Sequence, residues 1–197
     1  MPSDVKPAPA LQFHPLTPDR WPDLEALFGE KGAYGGCWCM WWRLTRATFQ
    51  EQHGAGNKQA MKGIVESGEA PGVLAYAAGE PVGWCAVAPR EAYASLNRSR
   101  TLKPVDDEPV WSITCFFVAE AFRGRGVMAS LLKAASEYAG KCGARIIEGY
   151  PVDSSKRVPL AWQAYLGTIS TFRQAGFVEV VRRSARQPIM RYTVEDR

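Results

Sequence analysis

The chain has 197 residues, of which 46% are hydrophobic and 22% charged; this fits one globular domain and excludes disordered and fibrous proteins. Lys and Arg outnumber Asp and Glu by 24 to 20, too small an excess for a dedicated nucleic-acid-binding protein, which carries a dense basic stripe. The most apolar run, 110–118, is about half as long as a transmembrane helix. We therefore expect no nucleic-acid partner and no membrane span.

The first ten residues contain three prolines and are predicted to form a flexible leader, 1–10, ahead of a single domain at 11–197. This segment lacks the basic start and apolar core of a secretory signal. The five cysteines are an odd number, which together with that absence predicts reduced thiols and a cytoplasmic location. The sequence is compatible with a monomer or a homodimer.

The N-terminal half is predicted to be mainly helical after one short strand at 11–16. A helix follows this strand, because the Thr17–Pro18 pair combines a hydroxyl cap with proline in the first turn. Next comes a segment rich in Cys and Trp, residues 37–42. A second helix is predicted over Asn57–Glu66, with the asparagine as its cap.

The C-terminal half alternates strands and helices. The predicted strands are 73–78 and 81–87, joined as a hairpin, then 110–118, 145–150, 177–181 and 189–192. Helices are predicted from Arg125 to Lys141 and from Ser170 to Ala175. The polar stretch 88–109 is long for a loop in a compact domain, which indicates a functional or mobile segment. The predicted strands outnumber the predicted helices, and the helices lie between strands along the chain. This arrangement predicts an α/β or α+β fold with a mixed sheet.

The most informative segment is a glycine-rich turn at 123–128, Arg-Gly-Arg-Gly-Val-Met, between a predicted strand and a predicted helix. The first N–H groups of a helix have no partner within it and carry the positive end of its dipole. Gly124 and Gly126 leave those groups uncovered, and Arg123 and Arg125 add positive charge. The turn is therefore predicted to hold a phosphate or pyrophosphate; a plain helix cap at the surface is the alternative. A Walker A sequence is absent, and the dinucleotide fingerprint would need a third glycine.

A third pattern, Arg-x-x-Gly-x-Gly/Ala between a strand ending in valine and a helix with a Leu-Leu pair, resembles the GNAT superfamily of acetyl-CoA-dependent N-acetyltransferases. The matching residues are Val118, Arg123, Gly124, Gly126 and Leu131-Leu132. Two further features typical of that superfamily stand in the same order: the hairpin turn 79–83 and a late helix, 172–177, that ends in Gly-Phe. The resemblance covers about residues 70–180.

The resemblance implies a mostly antiparallel central sheet flanked by helices, with two central strands splayed apart. It also implies acetyl-CoA as co-substrate and an amine as acceptor, with no metal. It assigns the pantetheine arm of CoA to Phe116, Phe117 and Val118, and the pyrophosphate to Arg123, Gly124, Arg125, Gly126, Val127 and Met128. There are two departures from the pattern. Met128 stands where Gly or Ala is usual, and Phe172 where many members have a tyrosine that protonates the leaving thiolate.

Acetyl transfer to an amine requires a base for the ammonium proton and can use an acid for the CoA thiolate. Glu148 is a candidate base, because the resemblance places its strand beside the thioester, where partial desolvation would raise the pKa of a carboxyl group. A charge that faces solvent is the alternative. Tyr150 and Tyr165 are candidate acids, and each has aromatic packing as its alternative. Tyr165 is preferred because it lies in the long loop before the late helix.

The segment 37–42 holds two cysteines and three tryptophans. A structural zinc site is not favoured, because no second Cys/His pair follows at ligand spacing. In the resembling superfamily the segment after the first helix covers the acceptor site. Trp41, Trp42 and Trp84 are therefore candidate aromatic walls that would hold an amine by cation–π contact, and plain core packing is the alternative.

Two hypotheses of function follow. In the first, the protein is an acetyl-CoA-dependent N-acetyltransferase that acts on a primary amine, of a small molecule, by direct transfer in a ternary complex. In the second, it is a non-catalytic module on the same fold that binds an acyl-CoA or another small ligand and uses Cys37 and Cys39 as a thiol element. The absence of tyrosine at Phe172 supports the second.

Overall fold

The computed structural model of the protein describes residues 10–155 and 165–194. Its strands are β1 (Leu11–Pro15), β2 (Gly72–Ala77), β3 (Glu80–Pro89), β4 (Val110–Val118), β5 (Ile146–Gly149), β6 (Val178–Val181) and β7 (Ile189–Thr193). Its α-helices are α1 (Trp21–Phe28), α2 (Arg46–Glu51), α3 (Ala55–Glu66), α4 (Ala94–Asn97), α5 (Val127–Lys141) and α6 (Ile169–Gln174). Within the described ranges, no helix has the length and apolarity needed to cross a bilayer.

The seven strands form one sheet in the order β1-β2-β3-β4-β5-β7-β6. Neighbouring strands are antiparallel except β4 and β5, which pair in parallel, so the predicted mixed and mostly antiparallel sheet is confirmed. One face of the sheet packs against α5 through residues such as Leu131 and Ile147. The opposite face is covered by α1 and α3, with Leu24 and Trp84 in its core. The sheet therefore separates two apolar cores.

Helix α5 begins two residues later than the sequence predicts. Gly124 and Gly126 have φ angles of 72° and 76°, which a right-handed helix excludes, so regular helix starts only at Val127. The shift leaves both glycines in an extended turn ahead of the helix. This turn carries the predicted phosphate site.

The helices before β2 also differ from the predictions. The sequence patterns do not predict α2, although Thr45 caps it by accepting a hydrogen bond from the Thr48 N–H at 3.2 Å. Asn57 is not a cap but a fully buried residue inside α3. Its Nδ2 donates to the Gly36 carbonyl at 3.1 Å, which joins α3 to the Cys/Trp segment.

A β-bulge in β4 decides which side chains reach each face of the sheet. Ala86 pairs with Cys115, while the next residue of β3 pairs with Ile113, so Thr114 is an extra residue in β4. Without it, Ile113 and Cys115 would share a face, since side chains two apart in a strand point the same way. Instead Ile113 lies in the core under α5, and Cys115 lies on the opposite face together with Phe117.

The two central strands separate at their carboxyl ends, as the resemblance predicts. The pairing of β4 with β5 covers only Val110–Ile113, and β5 ends at Gly149. The rest of β4 pairs with β3 alone. The ring of Phe172 fills the space beside Gly149, where an added Cβ would lie 2.0 Å from the ring. The last five residues of β4 are thus free on the side toward β5.

Candidate functional site

The glycine-rich turn forms an open cradle at the carboxyl end of β4. A Cβ atom added to Gly124 or Gly126 would meet no other atom within 4 Å, so the space above both glycines is free. In the described chain, the N–H groups of the first three residues of α5, 127–129, have no backbone acceptor. Bare N–H groups at the positive end of a 15-residue helix are suited to bind an anion.

The side chains around the cradle keep its backbone accessible. Arg123 donates from Nε to the Val118 carbonyl at 3.0 Å, which ties the turn to the end of β4. The guanidinium of Arg125 lies 5.4 Å from the centre of the Phe122 ring. Met128, the departure from the usual Gly or Ala, packs its side chain against the core under α5. The methionine therefore does not obstruct the N–H groups of the turn.

The residues predicted for the pantetheine arm lie along the free part of β4. Phe116 is fully buried and packs edge-on against Phe172 at 6.0 Å between ring centres, so only its backbone is open to a ligand. The side chain of Phe117 points to the opposite face and lines a cavity there. Val118 precedes the turn that leads to the cradle. The predicted set is thus contiguous with the cradle.

That cavity has a volume of about 450 Å³ and opens beside the free part of β4. It is lined by Ala33, Tyr34, Gly35, Cys37, Cys39, Trp41, Trp42, Phe49, His53, Cys115, Phe117, Tyr165 and Leu166. Gly167 is the residue after Leu166 of this lining. A Cβ atom added to Gly167 would lie 3.3 Å from the sulfur of Met128, a residue of the glycine-rich turn. The cavity and the cradle therefore approach each other at one end of the sheet. The volume of the cavity is within the usual range for small-molecule sites.

A sequence profile of the acetyltransferase (GNAT) family matches residues 38–157, more than half of the chain. The chain belongs to the GNAT family of acetyltransferases. Members of this family are N-acyltransferases that use acetyl-CoA. The match covers the Cys/Trp segment from Trp38 onward, the bulged strand and the cradle.

Solved GNAT structures have the same fold. A GNAT acetyltransferase from Streptococcus pneumoniae is 12% identical over 94% of this chain and 100% of its own, with a TM-score of 0.55. One from Listeria monocytogenes is 11% identical over 93% of this chain and 95% of its own, with a TM-score of 0.57. An aminoglycoside acetyltransferase in complex with coenzyme A and kanamycin is 19% identical over 93% of this chain and 95% of its own, with a TM-score of 0.51. No curated protein matches the chain.

Two of the three tryptophans predicted as walls of the GNAT acceptor site line the cavity. Trp41 is 45% exposed and packs edge-on against Phe49 at 5.1 Å between ring centres; Trp42 lies beside it. The structure does not support the same role for Trp84. Its ring is fully buried behind the cavity wall, and its Nε1 donates to the Cys39 sulfur at 3.1 Å. Trp84 therefore supports the wall from inside the core.

Glu148 and Tyr150 lie in a buried polar network outside the lining of the cavity. Glu148 is fully buried; its Oε2 accepts from Arg90 at 3.0 Å, and its Oε1 accepts from Arg191 at 2.9 Å. The Tyr150 hydroxyl donates to Glu148 at 2.8 Å and accepts from Arg90 at 2.8 Å. Burial and the neighbouring Glu148 charge raise the pKa of Tyr150 well above its usual value. This geometry does not support the predicted base and acid roles of these two residues.

Tyr165, the other candidate acid, lies at the junction of cavity and free strand. Its ring stacks on Phe117 with 6.2 Å between centres and 10° between planes. Burial raises its pKa, so the phenol is protonated at neutral pH. Phe172 is fully buried and packs against Phe177, with no space for a ligand at its ring. Between Tyr165 and Phe172, only Tyr165 has a hydroxyl group, and it lies where the cavity meets the free part of β4.

Three cysteines, Cys37, Cys39 and Cys115, line the cavity, and the structure raises the pKa of the first two. All five cysteines of the chain are unpaired. Burial raises the pKa of Cys37 to about 11, and a hydrogen bond to Cys115, together with burial, raises the pKa of Cys39 well above its usual value. Trp38 and Cys39 adopt positive φ angles of 43° and 57°, which costs about 1–2 kcal/mol per residue and turns the segment inward. The packing of Trp38 between Trp21 and Phe28 holds this turn in place.

We expect native thiol labelling to distinguish the cavity cysteines from the exposed Cys142. With a pKa of about 11, only about one in 3,000 Cys37 side chains is a thiolate at pH 7.5, against about one in ten for an ordinary cysteine. Iodoacetamide at pH 7.5 should therefore modify Cys142 first, and labelling of Cys37 should be at least about 100-fold slower. Because the raised pKa is the cause, the Cys37 rate should rise about tenfold per pH unit up to about pH 11. Peptide mass spectrometry gives each rate; equal rates at pH 7.5 would contradict the placement of Cys37.

Among the cavity residues that sequence reasoning missed are Phe49, in α2, and His53, just after it, because no helix was predicted in this segment. They are four apart, and their rings meet edge-on at 6.3 Å. That i, i+4 aromatic spacing is the signal from which the cavity-facing side of α2 could have been predicted. In the described residues, His, Cys, Asp and Glu side chains form no group of three that could hold a metal ion.

Proposed function

We propose that this GNAT protein transfers the acetyl group of acetyl-CoA to a primary amine of a small molecule, by direct attack in a ternary complex. The observation that carries the proposal is the meeting of two features at one end of the sheet. The anion cradle at Gly124–Gly126 follows the free part of β4, and an apolar cavity opens beside that strand. A phosphate-bearing donor and a small acceptor can therefore occupy adjoining sites.

The donor side fits CoA in both charge and shape. The cradle offers unpaired N–H groups, helix-dipole charge and two arginines, which suit a pyrophosphate. The free backbone of β4 offers unpaired polar groups along which the amide-containing pantetheine arm can lie as an added strand. When bound, acetyl-CoA supplies the activated acetyl group. The chain supplies the hydrogen bonds that orient it.

The thiol chemistry supports direct transfer over an acetyl-cysteine intermediate. A cysteine must be a thiolate to attack a thioester. Burial raises the pKa of Cys37 to about 11, and the pKa of Cys39 lies well above its usual value, so both remain protonated at neutral pH. We propose that the amine itself is the nucleophile. Collapse of the tetrahedral adduct forms the amide, breaks the carbon–sulfur bond and releases CoA as a thiolate that needs a proton.

We propose Tyr165 as the donor of that proton, because it stacks on Phe117 and lines the cavity, and Tyr165→Phe tests this. Because a thiolate is a good leaving group, we expect a kcat reduction at the low end for general acids, about 10–100-fold, with acetyl-CoA affinity unchanged. Steady-state kinetics and calorimetry measure the two effects. Tyr192→Phe is the matched control, since this half-buried tyrosine packs on Phe177 away from the cavity. A wild-type kcat in Tyr165→Phe, with chemistry rate-limiting, would mean that the proton comes from water.

A screen of amines for CoA release tests the proposed function itself. Calorimetry first measures acetyl-CoA binding, and a thiol-reactive dye then follows CoA production with each amine. Turnover with an amine, and the mass of one added acetyl group on it, would support an N-acetyltransferase. Tight acetyl-CoA binding without turnover on any amine would instead support the non-catalytic binding module.

A further inference from the structure

We infer that the acceptor is a monoamine carried on a flat apolar body, and that His53 takes the proton from its ammonium group. This inference rests on the proposed function and adds to it a substrate class and a base. The observations behind it are the absence of acidic residues from the cavity lining, its aromatic walls, and the position of His53 at the cavity mouth.

The described lining of the cavity has no carboxylate that could neutralise a polycation. None of its 13 described lining residues is Asp or Glu. A ligand with several ammonium groups would lose hydration there without gaining a carboxylate partner, and burial of unpaired charge is costly. Polyamines and aminoglycosides are therefore poor acceptors for this cavity.

The walls suit a planar apolar group with one cation. Trp41 and Tyr34 are among the few large hydrophobic side chains in the described chain that remain exposed, at 45% each, and both line the cavity. Exposed aromatic rings concentrated in one concave site indicate a ligand that covers them. Trp and Tyr faces also attract a single ammonium group by cation–π contact. One charge is thus accommodated without a carboxylate.

Among the described lining residues, His53 alone carries a side-chain nitrogen with a lone pair that can accept a proton. Histidine is the side chain that most often serves as a general base in enzymes. The other titratable lining groups are phenols and thiols, and burial raises the pKa of Cys37, Cys39 and Tyr165, so these three hold their protons. The Glu148 carboxylate is occupied by two arginines in the buried network. The base role therefore falls to the imidazole.

The geometry leaves the His53 imidazole available. The side chain is exposed, and neither ring nitrogen has a hydrogen-bond partner in the described part of the protein. Its ring meets Phe49 edge-on at 6.3 Å and lies against Gly36, where an added Cβ would be 3.2 Å from Cε1. These contacts hold the ring at the cavity mouth, where an entering ammonium group passes it.

The amine nitrogen loses two protons during the reaction, and His53 and the CoA thiolate each take up one proton. The ammonium group gives one proton to His53, and the neutral nitrogen attacks the thioester carbon. Formation of the amide breaks the carbon–sulfur bond, and the nitrogen loses its second proton. The CoA thiolate takes up one proton, and His53 releases the other to solvent at the cavity mouth. The net products are the acetamide, CoA as thiol and one proton.

The acceptor class is tested with two amines, tryptamine and spermidine, at saturating acetyl-CoA. We expect kcat/KM for tryptamine to exceed that for spermidine by about 100-fold or more. Calorimetry of tryptamine alone should show binding that Trp41→Ala weakens about tenfold, with acetyl-CoA affinity unchanged. Preference for spermidine would overturn the acceptor class while leaving the proposed N-acetyltransferase function intact. Failure of every amine would overturn the proposed function itself.

His53→Gln tests the base with a pair of acceptors that differ in charge. Tryptamine enters as an ammonium ion, whereas an aniline is already neutral at pH 7 and needs no base before attack. We expect His53→Gln to lower kcat/KM for tryptamine about 100-fold at pH 7 and to leave that for 4-ethylaniline within about twofold. The matched control is His14→Gln. His14 is the other histidine of the chain; it lies in β1 and its ring packs on Tyr76 of the neighbouring strand β2.

Two outcomes would overturn the base assignment. An equal loss with both acceptors would mean that His53 shapes the cavity without taking a proton. An unchanged rate with tryptamine would exclude it from the reaction. Recovery of the tryptamine rate in His53→Gln at a pH where the amine is itself neutral would support the assignment. Circular dichroism and acetyl-CoA binding show whether the variant is folded.

Discussion

Replacement of Gly126 by glutamate is expected to weaken acetyl-CoA binding at least about 100-fold, or roughly 2.7 kcal/mol. The space above this glycine is open, and the N–H groups that follow it at the start of α5 have no backbone acceptor in the described chain. A glutamate would fill the cradle and set a negative charge against the pyrophosphate. Isothermal calorimetry of the purified variant gives the affinity directly.

Two further variants separate this effect from backbone strain. Gly126 has a φ of 76°, where any side chain costs about 1–2 kcal/mol, so Gly126→Ala measures strain without charge. Gly143 has a φ of 92° and equally open space at the other end of α5, which makes Gly143→Glu a matched change away from the cradle. Acetyl-CoA affinity should be near wild type in Gly143→Glu. An unchanged affinity in folded Gly126→Glu would refute the CoA site.

Glu148→Gln is expected to destabilise the protein by about 3–5 kcal/mol. The carboxylate is fully buried between Arg90 and Arg191, and Arg90 is itself only 5% exposed. Removal of the negative charge leaves that guanidinium buried without its main partner. For a chain of this length the melting temperature should fall by about 10 °C, which differential scanning calorimetry can measure.

The same variant decides between a structural and a catalytic glutamate. Glu137→Gln, an exposed position on α5, makes the identical chemical change and should alter stability by less than about 0.5 kcal/mol. Below the melting temperature, folded Glu148→Gln should keep a kcat near wild type. Wild-type stability combined with a large loss of kcat would restore Glu148 as the base.

The sequence was sufficient to predict the parts of the fold that depend on local patterns. The β-branched and aromatic run at 110–118 predicts β4 at its observed bounds, and the glycines at 124 and 126 mark the turn after it. The start of α5 was less predictable, because both glycines adopt positive φ and delay the helix by two residues. The resemblance implied a mostly antiparallel sheet with two splayed central strands, but the parallel pairing of β4 with β5 was not predicted and is seen only in the structure.

The side-chain partners in the site could not be predicted, because they come from distant parts of the chain. Arg90 and Arg191 reach Glu148 from 58 and 43 residues away, and no local pattern indicates which charge a buried carboxylate will meet. Trp84 and Trp41 have the same residue type, yet one is fully buried and the other is 45% exposed. Their difference follows from which face of which element they occupy. That depends on tertiary packing.

The bulge at Thr114 makes β4 a strand of two independent parts. Before it, residues pair on both sides and contribute to the stability of the whole sheet. After it, each residue pairs on one side only, and Cys115 and Phe117 form part of the cavity wall. Substitutions of these two side chains can therefore change which acceptor is taken without disturbing the hydrogen bonds of the sheet. Specificity can diverge within this half-strand while the scaffold stays constant.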